Sequence, residues 1–394
     1  MSSKHIIIVG GGVIGASIAY HLCRNKYNVR VTVIERDPSY RRASSFLAMG
    51  GIRQQFSSIQ NISLAQHSIR FYQTLNELTY HRNLKQPVNF LQRGYLFLVN
   101  EATSDKFQER YQTQCRLGAR VERLDRDAIR KLVPDLVLDD ILFAVFGPED
   151  GYGNPRAVLS TLRILAESAG AQFLTSNVTA LKVAGGNITG VILDDGVTLE
   201  TSTLVCAAGP YAASLVALAD IDLPVTPVRQ QLFHCDLPRR WPHRFPMIVD
   251  PTGVHWRHDD QTHPDVADQI VVARTNLAEP PGENFECDME RWETDFRPPL
   301  VARLPDLETA TLTDGWAGLY EMTPDHNPLL GEHPELSGLF LANGFSGHGL
   351  MMAPAVGSVM AELLTTGTSA SIDISAFDPG RFSRDELFWD DAMI

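Results

Sequence analysis

The stretch from His5 to Glu35 limits the possible folds of this chain more than any other. His5 to Val9 is a short apolar run that reads as a buried strand. Gly10-Gly11-Gly12-Val13-Ile14-Gly15 follows without a gap. From Ala16 to Arg24 the residues Ile18, Ala19 and Leu22 recur on one helical side. Val29 to Ile34 is a second, β-branched strand that ends at Glu35. Strand, glycine turn, helix, strand and acid form the setting in which a G-x-G-x-x-G signature binds a dinucleotide. Gly10 permits the tight turn, Gly12 lets backbone approach a pyrophosphate, and Gly15 lets helix and strand pack closely. The helix N-terminus adds unpaired N–H groups and a positive dipole end, so Val13 and Ile14 join the contact set. Glu35, 20 residues after Gly15, can accept hydrogen bonds from a ribose diol, with Arg36 beside it. The plain alternative is a glycine-rich turn with no ligand, and the complete βαβ context argues against it. The motif by itself does not separate FAD from NAD.

Composition narrows the class. A chain of 394 residues has room for two or three domains. With 44% hydrophobic and 21% charged residues it is neither a disordered chain, a collagen-like fibre nor a membrane bundle. A formal charge of -13 repels phosphate backbones, so no nucleic-acid partner is expected. Cys23, Cys115, Cys206, Cys235 and Cys287 are odd in number and include no C-x-x-C pair. That argues against a disulfide framework and for a reducing, cytoplasmic setting. The apolar stretch Ile6 to Leu22 is too interrupted by glycine for a membrane span or a secretory leader. The histidines show no H-x-x-x-H spacing and there is no G-x-S-x-G elbow, so neither a metal site nor a serine nucleophile is expected.

Beyond the first unit, Arg41 to Phe56 is rich in small residues and reads as turns, and Asn61 to Leu78 has helical periodicity. Strands are expected at Gly94 to Val99, Gln172 to Ser176, Val178 to Val183, Thr203 to Ala208, Val225 to Cys235, Met247 to Val249, Gln269 to Arg274 and Leu339 to Ala342. Helices are expected at Asp105 to Gly118, Asp127 to Leu132, Pro155 to Gly170 and Met351 to Leu364. Gly185-Gly186-Asn187 reads as a hairpin turn, and residues after Gly367 as a polar surface tail. The last lysine is Lys182, and every cation after it is Arg or His.

Four segments, in this order and spacing, resemble the D-amino-acid-oxidase superfamily of FAD enzymes. They are the N-terminal fingerprint; Gly50-Gly51-Ile52-Arg53-Gln54-Gln55-Phe56; Trp316-Ala317-Gly318-Leu319-Tyr320-Glu321-Met322-Thr323-Pro324-Asp325; and Asn343-Gly344-Phe345-Ser346-Gly347-His348-Gly349 with Ala353-Pro354-Ala355-Val356-Gly357. The chain looks most like the sarcosine oxidase, dimethylglycine dehydrogenase and glycine oxidase branch, including its mitochondrial FAD-dependent oxidoreductase domain proteins. The resemblance implies an α/β, two-domain (α+β) fold. A Rossmann-like FAD-binding domain (1–80, 150–222 and 325–366) would be interleaved with an antiparallel β-sheet substrate domain (81–149 and 223–324), followed by a tail (367–394). It also implies FAD contacts from Ser44, Ser45, Gly50 and Gly51, from Val178 near the adenine, and from Ala208 and Gly209 near the pyrophosphate. Gly347, His348, Gly349, Leu350 and Met351 would meet the pyrimidine end of the flavin, where a helix N-terminus stabilises negative charge.

Departures from the family pattern shape the rest. Sarcosine-type oxidases attach FAD through a cysteine where this chain has Gly318. The dimethylglycine branch uses a histidine in the early loop, and Ser44 to Gly50 has none. Non-covalent FAD is therefore expected. The oxygen-activating lysine of sarcosine-type oxidases would fall on Gln269 to Arg274, which has no lysine. Their carboxylate-binding lysine is replaced by Met351, and the arginine of glycine and D-amino-acid oxidases by Tyr320. Arg53 and Arg274 become the candidates for gripping a substrate carboxylate. For Arg53 the competing role is structural, pairing with loop carbonyls; for Arg274 it is a surface ion pair. Tyr320 can hydrogen-bond substrate or act as a lid, and His348 can tune the flavin or only hold position. Of His255, Trp256 and His258, one is expected to line the pocket and the others to face solvent.

The resemblance implies oxidation of an amine or amino acid, with secondary or N-methyl amines and imino acids favoured. Hydride passes from the substrate C–H to flavin N5, and the imine formed hydrolyses. The missing lysine favours a dehydrogenase over an oxidase, with a quinone, an electron-transfer protein or oxygen as acceptor. Two other readings stay open: a 2-hydroxy-acid dehydrogenase, which needs a base such as histidine, and a flavoprotein acting in assembly.

Overall fold

The computed structural model describes residues 3–25, 27–81, 88, 90–239, 241, 244–259 and 269–390. Parts of the expected substrate domain (82–87, 89, 240, 242–243 and 260–268) and the end of the tail (391–394) lie outside the described residues.

Lys4–Val9 runs into Gly10, Val13–Arg24 is the helix that follows, and Val29–Glu35 returns as a parallel strand with Ile7 opposite Thr32. The strand takes a central place because both its faces are apolar, as a parallel sheet requires. The sheet order is Leu329–Glu332, Leu339–Asn343, Leu204–Cys206, Lys4–Val9, Val29–Glu35, Gln172–Thr175. Only the first pair is antiparallel. A small antiparallel sheet, Val178–Ala184, Asn187–Leu193 and Thr198–Glu200, stands beside it. Its hairpin turns at Gly185 and Gly186, both at positive φ.

The second large sheet has eight strands, in the order Thr311–Met322, Thr226–Asp236, Gln269–Arg274, Val254–His258, Met247–Val249, Tyr95–Asn100, Ile141–Gly147, Glu122–Leu124. It is antiparallel except where Met247–Val249 meets Tyr95–Asn100 in parallel. At that junction two distant chain segments join edge to edge, so no hairpin dictates their direction. Ile141–Gly147 and Thr311–Met322 are additions to the sequence expectation.

The last long helix, Gly349–Thr366, lies across Val13–Arg24. A Cβ at Gly357 would sit 2.1 Å from Ser17 Oγ, so glycine sets how close the helices come. Pro354 lies inside this helix and has no N–H for the Leu350 carbonyl. The Tyr72 hydroxyl donates to that carbonyl instead, at 2.5 Å. By length and composition this helix is long and apolar enough to cross a membrane, yet 67% of it is buried inside the protein.

One expectation is extended and one corrected. The tail lies mostly on the surface, as expected, but it is anchored: Phe377 and Arg381 are buried, and Arg381 forms a paired, two-pronged contact with buried Asp325 at 2.8 Å on each arm. A charge is buried here because it arrives with a partner. His255, Trp256 and His258 are all buried, because Val254–His258 is an interior strand of the eight-stranded sheet. Val254 and Trp256 join the core on one face, His258 stacks on Phe245 with ring centroids 3.7 Å apart, and His255 faces the other way.

Candidate active site

A cleft of about 910 Å³ runs between the two large sheets. It opens at the C-terminal ends of the parallel strands, since Val9, Ile34, Ala207 and Ala342 all line it. That is where open α/β sheets place their ligands.

At one end the cleft is a backbone cradle. Gly10 has φ +104, and a Cβ there would lie 2.2 Å from the Ala207 carbonyl oxygen. A Cβ at Gly15 would lie 1.9 Å from the Gly10 carbonyl oxygen, which explains the close strand–helix contact. Gly12 faces the cleft with only Ser45 Oγ near, and the Val13 N–H donates to that hydroxyl at 3.3 Å. Val13 and Ile14 complete the helix start. Glu35 accepts the Gly11 N–H on Oε2 and the Asp37 N–H on Oε1, each at 2.8 Å. Each oxygen keeps acceptor capacity for a diol. The Arg36 guanidinium stacks on the Tyr211 ring at 3.7 Å, and both line the cleft with Val178, Ala208 and Gly209. Tyr211 carried no motif and was not foreseen.

The middle is built by the 44–51 loop. Ser44 and Ser45 open a single helical turn, Ser44–Leu47, that docks on strand Thr311–Met322. Ser44 Oγ donates to the Leu319 carbonyl at 2.6 Å, and Trp316 Nε1 to the Leu47 carbonyl at 2.9 Å. A Cβ at Gly318 would meet Leu47 Cβ at 3.1 Å, so leucine fills the space beside it. Gly50, at φ +90, touches the Gly153 carbonyl, and Gly51 lies against the Tyr95 hydroxyl.

At the far end the cleft is lined by side chains. Arg53 is wholly buried; it donates to the Gln55 carbonyl, lies 4.4 Å over the Phe56 ring and stands 3.5 Å from His348 Nε2. Asp150 secures the same loop through the Gln54 N–H and Gln55 Nε2, both at 3.0 Å, and burial pushes its carboxyl up to about 7. His348 caps the last long helix, and burial, with Arg53 adding to it, pushes its imidazole down to about 3. It is neutral at ordinary pH. The helix starts in the cleft with Gly349, Leu350 and Met351, ahead of the first intrahelical N–H bond from Met352 to His348. These N–H groups have no i−4 partner, and His348 adds no side-chain cap.

Tyr320 packs on Gly347, where a Cβ would fall 2.5 Å from the ring. Thr275 lies at its hydroxyl. Arg274 is half-buried at a strand end, and its one described hydrogen bond is a 3.4 Å contact to the Asp295 carbonyl. Glu321 was not singled out by the sequence: burial pushes its carboxyl up to about 7 while it accepts the Gly344 N–H at 3.0 Å. Among the described residues no cluster suited to a metal ion occurs.

The backbone cradle fits a dinucleotide, since its glycines are fixed by contacts that a side chain would break and Gly10, Gly12, Val13 and Ile14 line the cleft at a helix start. Gly10 to Ile14, Glu35 and Arg36 would hold the adenosine and pyrophosphate. Gly347 to Met351 would hold a flavin's pyrimidine end.

Residues 5–363 match the family described as DAO, FAD dependent oxidoreductase. The chain is 32% identical to the FAD-dependent oxidoreductase domain-containing protein 1 of Xenopus laevis, covering 96% of this chain and 82% of that one. It is 27% identical to the glycine oxidase of Geobacillus kaustophilus, covering 94% and 95%. The structure of L-proline dehydrogenase from P. horikoshii superposes with a TM-score of 0.88 at 27% identity, over 98% of this chain and 100% of that one. The fold, the cradle and these likenesses agree: the chain belongs to the DAO family of FAD-dependent oxidoreductases.

Proposed function

We propose that this protein dehydrogenates a secondary amine or imino acid that carries a carboxylate, with FAD held non-covalently. One observation carries the reading. Arg274 stands half-buried at the substrate end of the cleft with a single weak backbone partner described, while Arg53 is committed to its own loop. A guanidinium so placed suits a carboxylate gripped by two parallel hydrogen bonds. The names of two relatives, glycine oxidase and L-proline dehydrogenase, point to the same substrate class, an amine beside a carboxylate.

When bound, FAD supplies the two-electron acceptor that takes a hydride from the substrate C–H. The chain supplies orientation and charge. Arg274 fixes the carboxylate. The substrate nitrogen's lone pair forms the C=N bond as the hydride leaves, and the N–H proton passes to solvent. Water then adds, and the carbon–nitrogen bond breaks to give a carbonyl compound and an amine. The N–H groups of Gly349, Leu350 and Met351 at the helix start would hold the flavin and favour negative charge placed there. Neutral His348 beside Arg53 needs no proton of its own for this role. Leu47 against Gly318 leaves no nucleophilic side chain at the place of a covalent link.

The strand Gln269–Arg274 carries no lysine, and its one cation on the cleft, Arg274, is assigned here to the substrate carboxylate, which supports an acceptor other than oxygen. A fixed cation lowers the barrier to making superoxide. The test is anaerobic bleaching of the flavin by a panel of amines, imino acids and 2-hydroxy acids, followed by mixing with air. Bleaching by imino acids, slow recovery in air and fast turnover on a quinone dye are expected. Recovery in air as fast as turnover would make it an oxidase. Bleaching by hydroxy acids alone would replace the amine reading. Acid precipitation should release all the flavin from the protein. We also propose a reducing, cytoplasmic setting, which five free cysteines suit.

A further inference from the structure

His255 has a part in the substrate site that neither its motif context nor the family resemblance assigns. It forms a row across four strands of the large sheet with Ala273, Leu232 and Trp316, each paired directly with the next. Three of the four, His255, Ala273 and Leu232, line the cleft, with Trp316 packed beside them, so this wall is apolar except for the imidazole. The ring is 7% exposed. Nδ1 lies 3.0 Å from the Gly253 carbonyl oxygen, and a carbonyl can only accept. Nδ1 therefore carries the ring proton, and Nε2 holds the lone pair. No hydrogen bond to Nε2 occurs among the described residues, and this atom keeps access to the cleft, so an acceptor on the cleft wall is open to a ligand. Burial, with the Arg53 charge adding to it, pushes the imidazole down to about 4, so the ring is neutral when the enzyme works.

A neutral ring held in one tautomer presents a fixed acceptor to the cleft, and a ligand donor placed there can take the place of water. Arg274 follows Ala273, the residue paired with His255, at the end of the neighbouring strand, and both Arg274 and His255 line the cleft. We propose that His255 Nε2 accepts a hydrogen bond from the substrate nitrogen and thereby selects amines that keep an N–H in their neutral form. This rests on the amine reading above. A neutral primary or secondary amine offers both the N–H for His255 and the lone pair that expels the hydride. A neutral tertiary amine has the lone pair but no N–H, and its ammonium form has the N–H but no lone pair.

The holoenzyme should be mixed anaerobically with L-proline or N-methyl-L-proline, and with sarcosine or N,N-dimethylglycine, while flavin bleaching is followed. The wild-type protein should favour the secondary amine of whichever pair reacts by at least about 10-fold. His255→Phe should slow the secondary amine by about that factor and leave the tertiary amine unchanged, so the preference disappears. His255→Gln, which retains an acceptor, should recover part of it. FAD content per chain shows whether each variant is folded. Equal wild-type rates for secondary and tertiary amines overturn the assignment without any variant, as does an undiminished preference in FAD-replete His255→Phe. Bleaching by lactate and by no amine overturns the amine reading itself, and this assignment with it.

Discussion

At the dinucleotide end of the cleft the recognising surface is backbone: Gly10, Gly12 and the first turn of Val13–Arg24, with carboxylate Glu35 held by two N–H groups. At the other end, where we propose that substrate binds, the lining is side chains, with Arg274, His255, Tyr320 and His348 arriving from four separate segments. A backbone surface tolerates almost no added atom but takes its shape from one short motif. A side-chain surface can be rebuilt residue by residue without disturbing the fold. One cradle can thus serve many chemistries while the far wall sets which substrate reacts.

That contrast can be broken by substitution. The largest effect should come from Gly15→Ala, whose new methyl would lie 1.9 Å from the Gly10 carbonyl oxygen. The protein should lose its bound FAD, read as yellow absorbance per chain. Gly11→Ala should be milder, because its nearest neighbours, Glu35 Cβ and the Tyr40 hydroxyl, lie at 3.0 Å rather than 1.9 Å and the hydroxyl can shift. FAD retention by Gly15→Ala would end the claim that backbone sets that end. Next, Arg274→Met should raise KM for a carboxylate substrate about 10- to 150-fold, the equivalent of ~1.5–3 kcal/mol for hydrogen bonds to a charged group. FAD content should not change, and a fall in it would mean that the two ends are not separable.

Glu35→Ala should weaken FAD binding by about 1–3 kcal/mol, measured by titrating apoprotein with FAD. Unchanged affinity would remove Glu35 from the cradle. The smallest effect concerns Glu321. Its carboxyl is raised to about 7 when folded, so it favours the protonated form there. Its contribution to stability is complete below the ordinary carboxyl range and is lost as pH rises to about 7. Glu321→Gln keeps an acceptor and removes the titration. Its Tm should fall less than that of the wild type between pH 5 and 8, by a few degrees. Parallel Tm curves would show that Glu321 is not a buried acid.

The sequence made the cradle readable for a physical reason. Its residues lie within a single βαβ unit, and glycine can be recognised by what it lacks. Gly347 to Met351 were readable because a glycine turn precedes an apolar helix. Tyr211, Leu47 and Glu321 were not, because each acts through a neighbour distant in the chain: Arg36, Gly318 and Gly344. His255 was only half visible. Alternation on Val254–His258 separates its two faces, but nothing local says that both are covered. The anchor of the tail was not readable because Asp325, the partner of Arg381, is 56 residues upstream. In isolation, a polar segment with unpaired charges reads as surface.

The contact between Ser17 and Gly357 has a consequence for synthesis of the protein. The helix that opens the cradle finishes its packing only against a helix made 340 residues later. At ~5–20 residues per second, a ribosome needs roughly 20–70 s to supply that partner. During that interval the growing chain carries its dinucleotide fingerprint with one apolar flank uncovered. A chain that stops before Gly349 lacks both that packing partner and Gly349 to Met351 of the cleft, and is expected to stay colourless although its signature motif is intact.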